Sequence, residues 1–318
     1  MTVGAALMLY AVVVGALGPA AFRRSGWLVR APRLGAAAVL AAAWSVLFAL
    51  LLAGVTLLLP TSALTTDIGH LVGACLTRLR AAYGSPGGAG VVVLGQALST
   101  GLATRMVFVA GRLSLARRTE RRRHRLLIRL AGRRLAEASA AVVVLDAPGA
   151  AAYSLAGRRP TVVVTSGAME ILTARELSAV LAHEQAHLRA RHHRWQLAAA
   201  LAAQSLPFVP VLRETPARLG RLLEMDADEL AVHQHEPRIL ASALVAVGNA
   251  GASAANGSAR ERTATTTAGA DAVARVHRLL RPPDRLPLRR RTLARSAVVA
   301  VTAGPLLLAT APALLALR

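Results

Sequence analysis

Four stretches of about 20 mostly apolar residues interrupt this sequence, near Val3–Phe22, Leu34–Leu59, Gly88–Ala110 and Ala297–Leu317. Nothing else constrains the fold as strongly. A helix of that length matches the hydrocarbon thickness of a bilayer, and no spanning segment leaves its backbone groups unpaired there. With 54% hydrophobic residues over 318 positions, the chain is too apolar for an ordinary soluble domain. The expectation is a mainly α membrane protein with four transmembrane helices and one soluble domain between spans three and four. The first stretch lacks a positively charged region ahead of its apolar core, so it reads as a retained span rather than a cleaved signal. The division expected is 1–110 for three spans with short loops, 111–296 for the soluble domain and 297–318 for the fourth span.

The charge distribution orients these spans. All 38 basic residues are arginine, against 16 acids, for a formal net charge of +22. Such an excess is compatible with nucleic-acid binding, but the arginines cluster beside the apolar stretches. Three Trp, three Tyr and four Phe also leave few surfaces for base stacking. Direct nucleic-acid binding is therefore not expected; the partner of this charge is the lipid bilayer. Arg23, Arg24, Arg30 and Arg33 follow span one, and a dense run from Arg112 to Arg134 follows span three. Only Arg78 and Arg80 lie between spans two and three. The positive-inside bias puts the N-terminus outside a cell membrane and the soluble domain in the cytoplasm. Arg105, inside span three, is expected to snorkel toward the cytoplasmic surface. A single cysteine, Cys75, excludes an internal disulfide and a cysteine-rich metal site.

Within the soluble domain, AVVVLD at Ala141–Asp146 and TVVVT at Thr161–Thr165 read as a small strand pair separated by Pro148, Gly149 and Gly157. The second run is a candidate edge along which an extended peptide pairs. Thr173 is an N-cap whose capping box closes on Glu176, opening a helix through ELSAVLAHEQAHLRARHH. Asn249–Ala270 is low in complexity and reads as a mobile loop, and Asp271–Leu280 as a short amphipathic return to the membrane. Trp195–Arg213 is apolar enough for another span. A single crossing there, however, would put Glu224 and His187 on opposite sides. It must be a buried helix, a surface-lying one, or a re-entrant hairpin broken at Pro207 and Pro210.

His183 and His187 stand four residues apart, so on a helix both imidazoles leave one face and can share a zinc ion. Glu184 is placed to act as general base on a water at that ion. Downstream, in LLEMDADELAV, Glu224 and Asp228 again stand four apart. Glu224 is a candidate third ligand, and Asp228 a candidate hydrogen-bond acceptor for a ligand imidazole. His193 is the rival ligand, at the spacing used by metzincins. Those place a turning glycine midway, where this chain has Ala190. A continuing helix points His192 and His193 away from the metal.

The stretch VVVTSGAMEILTARELSAVLAHEQAHLRARHH, with the later EMDAD, resembles the gluzincin membrane proteases. These include the HtpX heat-shock protease, the CAAX prenyl endopeptidase and the BlaR/MecR-type antirepressor peptidases. The resemblance implies an α+β zincin-like domain, one Zn2+ per chain held by His183, His187 and Glu224, and Glu184 as catalytic base. The span plan is most similar to the BlaR/MecR type, which implies a zinc endopeptidase whose substrate is a protein or peptide, a DNA-binding repressor among them. With the chain ending at Arg318, no external sensing domain is expected after span four. The His-Pro element of the HtpX and CAAX group is missing before Arg275, leaving His277 and Tyr153 as candidates to stabilise the transition state. Two other readings stay open: a quality-control protease of HtpX type, and a non-catalytic membrane transducer, which would need no general base.

Overall fold

The computed structural model describes residues 3–58, 88–134, 142–157, 159–254 and 271–316. Cys75 and the whole of the loop 60–85 lie outside them. Eleven helices and four strands occupy the described residues. Four helices are long and apolar enough to cross a membrane: α1 (Val3–Arg24), α3 (Pro32–Leu58), α4 (Gly88–Ala131) and α11 (Leu288–Ala316). They fit a membrane protein, and a short α2 (Trp27–Arg30) links the first two. Small residues let them approach closely. A Cβ at Gly54 of α3 would clash with the Ser99 side chain on α4, so the glycine permits the close packing by which apolar helices associate.

Helix α4 is longer than its apolar stretch. It continues through the arginine run without a break for 44 residues, about 66 Å at 1.5 Å per residue. One rod thus begins among the apolar helices and ends beside the sheet.

That sheet has four strands, β1 (Gly132–Arg134), β2 (Val142–Leu145), β3 (Ala152–Leu155) and β4 (Thr161–Thr165), in the order β1-β2-β4-β3. The two runs expected to pair do so, as the parallel neighbours β2 and β4; β1 and β3 add antiparallel on either side. β4 is therefore an inner strand and not the edge. Val162, Val163 and Val164 are all buried, at 1%, 0% and 1% exposure, as a strand covered on both faces must be. The edges are β1 and β3, and the residues of β3 are all half-buried.

Against the sheet pack α5 (Ser166–Ile171), α6 (Ala174–Arg189) and α9 (Pro237–Ala254), around Val144, Val164, Ala168, Val180 and Ala243. The opposite side of α6 meets α8 (Pro210–Ala231), α9 and α10 (residues 271–280) through Ala179, Ala182, Ala231, Leu240 and Leu279. α9 carries the chain helically through Asn249 to Ala254, into the stretch expected to be a loop; residues 255–270 lie outside those described.

The apolar segment 195–213 is a hairpin. α7 (His192–Ser205) enters the group of apolar helices, the chain turns through Leu206–Val209, and α8 returns. Pro210 begins α8 at a position that needs no N–H, so the break falls where the prolines put it. The tip packs through Ala202, Val211 and Leu212 among Leu7, Ala11, Ala43 and Leu47. A Cβ at Gly15 or Gly18 of α1 would meet Val209 at 3.1 Å or Val211 at 3.0 Å.

Arg105 is paired within the protein. Its Nε donates to the Ser205 carbonyl at 2.6 Å and its Nη2 to the Gln204 carbonyl at 2.9 Å. These are carbonyls at the C-terminal end of α7, which have no intrahelical partner. Left unpaired away from water, each such group costs several kcal/mol. Arg105 supplies both the hydrogen bonds and a charge that suits the negative end of the helix dipole.

Candidate metal centre

The site is built where α6, α8 and α10 meet the edge of the sheet. α6 opens on the capping box expected of it: Thr173 Oγ1 accepts from the Glu176 amide at 3.3 Å, and Glu176 Oε2 accepts from the Thr173 amide at 2.9 Å. A cap of this kind contributes about 1 kcal/mol and sets the phase of the helix. His183 and His187 then share a face, with Nε2 atoms 3.2 Å apart. Glu224, on α8, brings Oε2 to 3.4 Å from His183 Nε2 and Oε1 to 3.5 Å from His187 Nε2. One donor atom from each of the three lies within 4.8 Å of the others, a grouping that could hold a metal ion.

Asp228, one turn beyond Glu224, places Oδ1 3.0 Å from His183 Nδ1. This is an ionic contact and not an aligned hydrogen bond, since Nδ1 has no hydrogen-bond partner. Arg275 on α10 engages both Asp228 oxygens, through Nε at 2.8 Å and Nη2 at 2.6 Å, and its Nη1 lies 3.1 Å from Glu224 Oε2. Such a bidentate pair is well suited to hold a carboxylate in a fixed plane.

The electrostatics favour positive charge at the point of convergence. Burial alone would raise the Glu224 carboxyl, but hydrogen bonds from His183 and His187 and the charge of Arg275 outweigh it and hold it well below the usual carboxylate range. Burial opposes protonation of His183, yet the Asp228 and Glu224 carboxylates prevail and raise its pKa to about 9. Asp228, which burial would raise, is lowered by Arg275 and His183.

Glu184 projects into a cleft of about 570 Å³ that also exposes His187 and Glu224. Burial raises its pKa, against the weaker opposing pull of His183, His187 and a hydrogen bond with Ser154. Edge strand β3 forms one wall of the cleft, through Tyr153, Ser154 and Leu155. The far end of α4 forms another, through Arg117, Arg121 and His124. Tyr153 makes a 2.7 Å hydrogen bond between its hydroxyl and His124 Nε2. Its phenol is raised by burial. His277 does not join the group; it is exposed on α10 and does not line the cleft.

After His187 the chain departs from the continuing helix expected of it. α6 does not continue: Ala190 caps it, and Arg191 turns the chain in the left-handed region at φ 55°, ψ 38°. A non-glycine residue there costs about 1–2 kcal/mol. The turn aims His192 back at the site, its Nδ1 2.9 Å from His187 Nδ1, while its Nε2 meets Asp226 Oδ2 at 3.0 Å. His192 and His193 both line the cleft, and the His193 carbonyl accepts from Arg117. His192, Asp226, Arg275 and His124 are the site residues that motif reading passed over. A signal for Asp226 is present, as an acid two residues from Glu224 and so on the opposite side of the helix, among the apolar residues Leu222, Leu223 and Ala227.

Two histidines and a glutamate converging beside a second glutamate define a metallopeptidase-type site. Residues 116–282 match the sequence profile of Peptidase family M48, and the chain belongs to that family. Over 107 residues it is 33% identical to the plastoglobule-localized metallopeptidase 48, chloroplastic, of Arabidopsis thaliana. The match covers 31% of this chain and 31% of that protein, so the chain spans about a third of the length of the curated relative. No solved structure matches the chain.

Proposed function

We propose that this protein is a membrane-embedded zinc endopeptidase that cleaves a protein substrate at the bilayer surface. The observation that carries this reading is the convergence of His183, His187 and Glu224 at the floor of a cleft that also holds Glu184. The donor set fits zinc. Tetrahedral ligands about 2.0–2.1 Å from zinc stand about 3.3 Å from one another, and the closest donor atoms here are 3.2, 3.4 and 3.5 Å apart. Two imidazoles and one carboxylate are also a donor set that zinc peptidases use, with one position left for substrate or water.

When bound, zinc supplies Lewis acidity at the cleft floor. An extended substrate adds to the free edge of β3, which fixes its register across the floor. Glu184 takes the proton from the attacking water and returns it to the leaving amine. Arg275 holds Asp228 and Glu224 in place, and the Tyr153 hydroxyl, hydrogen-bonded to His124, lines the cleft as a candidate donor to the developing oxyanion. Full-length protein in detergent is expected to carry about one zinc per chain and to cleave an unfolded protein. A chelator should stop that cleavage and added zinc restore it. Cleavage that survives removal of the metal would reject the assignment.

The arginine bias supports a cytoplasmic placement of the cleft, within reach of a DNA-binding repressor as the antirepressor resemblance suggests, or of damaged membrane proteins as a quality-control role requires. In a Cys75→Ser background, a cysteine at exposed Gln234 should resist an impermeant thiol reagent in intact cells and react once they are permeabilised. Reaction in intact cells would put the site outside and remove a cytoplasmic repressor from consideration.

A further inference from the structure

We propose that His192 and Asp226 form a strut behind His187, positioning residues that fix the tautomer of that imidazole and so hold its Nε2 lone pair at the metal. The contacts run in one line. Asp226 Oδ2 lies 3.0 Å from His192 Nε2, and His192 Nδ1 lies 2.9 Å from His187 Nδ1. His187 Nε2 then faces His183 Nε2 and Glu224 Oε1, at 3.2 and 3.5 Å.

One arrangement of protons on the neutral rings satisfies both contacts of the strut and leaves His187 Nε2 bare for the metal. To ligate through Nε2, neutral His187 must carry its hydrogen on Nδ1. That N–H needs an acceptor, and the atom facing it is His192 Nδ1, which must be the bare nitrogen. The hydrogen of His192 is then on Nε2, where it donates to the Asp226 carboxylate. Reversing His192 would set two N–H groups head to head and turn a lone pair toward the carboxylate, two repulsions at once. Reversing His187 would put a hydrogen on the atom that must ligate. Asp226, an acceptor only, therefore determines the tautomer two residues away.

Burial gives this ordering its weight. His192 is 2% exposed and Asp226 5%, and a mispaired polar group in such surroundings is costly. The rings of His187 and His192 meet edge to face at 84°, with centroids 4.8 Å apart, so neither turns freely. The strut also accounts for Arg191, the one non-glycine residue with positive φ among those described. That strained turn is what lifts His192 off the course of α6 and onto His187. The α7–α8 hairpin brings Asp226 to its other nitrogen.

This inference rests on His187 being a metal ligand, and the experiment separates the two. Zinc affinity of the full-length protein in detergent is measured by chelator competition for the unaltered chain, for His192→Phe, for Asp226→Leu and for the double variant. Phenylalanine keeps the ring contact and removes the acceptor; leucine keeps the approximate volume of the carboxylate and removes the charge. Each single change is expected to weaken zinc binding by about 10–100-fold, the usual effect of losing an outer hydrogen-bond partner of a ligand histidine. The double variant should be no weaker than the worse single one, because both cut the same chain of contacts. The visible spectrum of the cobalt-substituted protein should shift in both. Unaltered affinity and spectrum in a folded single variant would overturn the strut, as would losses that multiply in the double variant. If His192→Phe shows no cooperative melting, Asp226→Leu alone decides by the same affinity criterion. Absence of zinc binding in the unaltered protein would instead reject the metal site itself.

Discussion

Replacing Glu184 with glutamine is expected to leave zinc content and melting temperature near those of the unaltered protein while lowering peptide turnover by about 10²–10⁴-fold. The carboxylate is not among the three converging donors, so its loss removes no ligand. Glutamine has the same shape, and its amide oxygen can still accept from Ser154, which approaches the native carboxylate. What it lacks is basicity. An amide cannot take a proton from water and deliver it to an amine, so the reaction loses its proton carrier while substrate binding at the β3 edge persists. The kinetic signature is therefore a fall in kcat with little change in KM. A zinc-loaded Glu184→Gln protein within about tenfold of normal turnover, well short of the loss expected when a general base is removed, would remove Glu184 from the mechanism and return weight to a non-catalytic transducer.

The parts of the site that depend on short periodic spacing were legible in the sequence. Thr173 and Glu176, His183 and His187, and Glu224 and Asp228 are all local relations along a helix, set by 3.6 residues per turn. Their placement in the structure follows that rule, down to the paired cap hydrogen bonds. The apolar stretches were legible for a similar reason, since length and composition suffice to mark helices able to cross a bilayer. Leu34–Leu59, for instance, differs by only a residue or two from the helix Pro32–Leu58.

What was not legible depends on relations that no local pattern encodes. The absence of glycine near Ala190 argued for a continuing helix, but the argument weighs only backbone cost. About 1–2 kcal/mol at Arg191 is offset once His192 gains two partners, His187 just upstream and the buried Asp226 of the distant α8. A β-branched run such as Thr161–Thr165 reads as a candidate edge strand. Three consecutive buried valines instead mark an inner strand, and the edge beside it, AYSL, is too mixed to announce itself. Arg105 read as a charge needing escape to water. Its partners are carbonyls freed where α7 ends, which exist only once the hairpin has formed.

Replacing Glu224 with alanine is expected to cost the protein its zinc while the chain stays folded. Loss of a direct ligand should exceed the roughly 10–100-fold typical of an outer partner, so dialysed Glu224→Ala protein should retain little metal, whereas His193→Ala should retain about one zinc per chain. The fold survives because Arg275, which loses its 3.1 Å contact with Glu224, keeps its two-point pair with Asp228. No buried charge is orphaned by the change, the circumstance that makes removing one partner of a buried pair so destabilising elsewhere. α8 also remains anchored upstream, where Leu219, Leu222 and Leu223 pack on Val39 and Ala199. The measurement is zinc per chain alongside the thermal melt. Normal zinc in Glu224→Ala, or its loss from His193→Ala, would move the third ligand to the segment after His187 and dismantle the site as drawn.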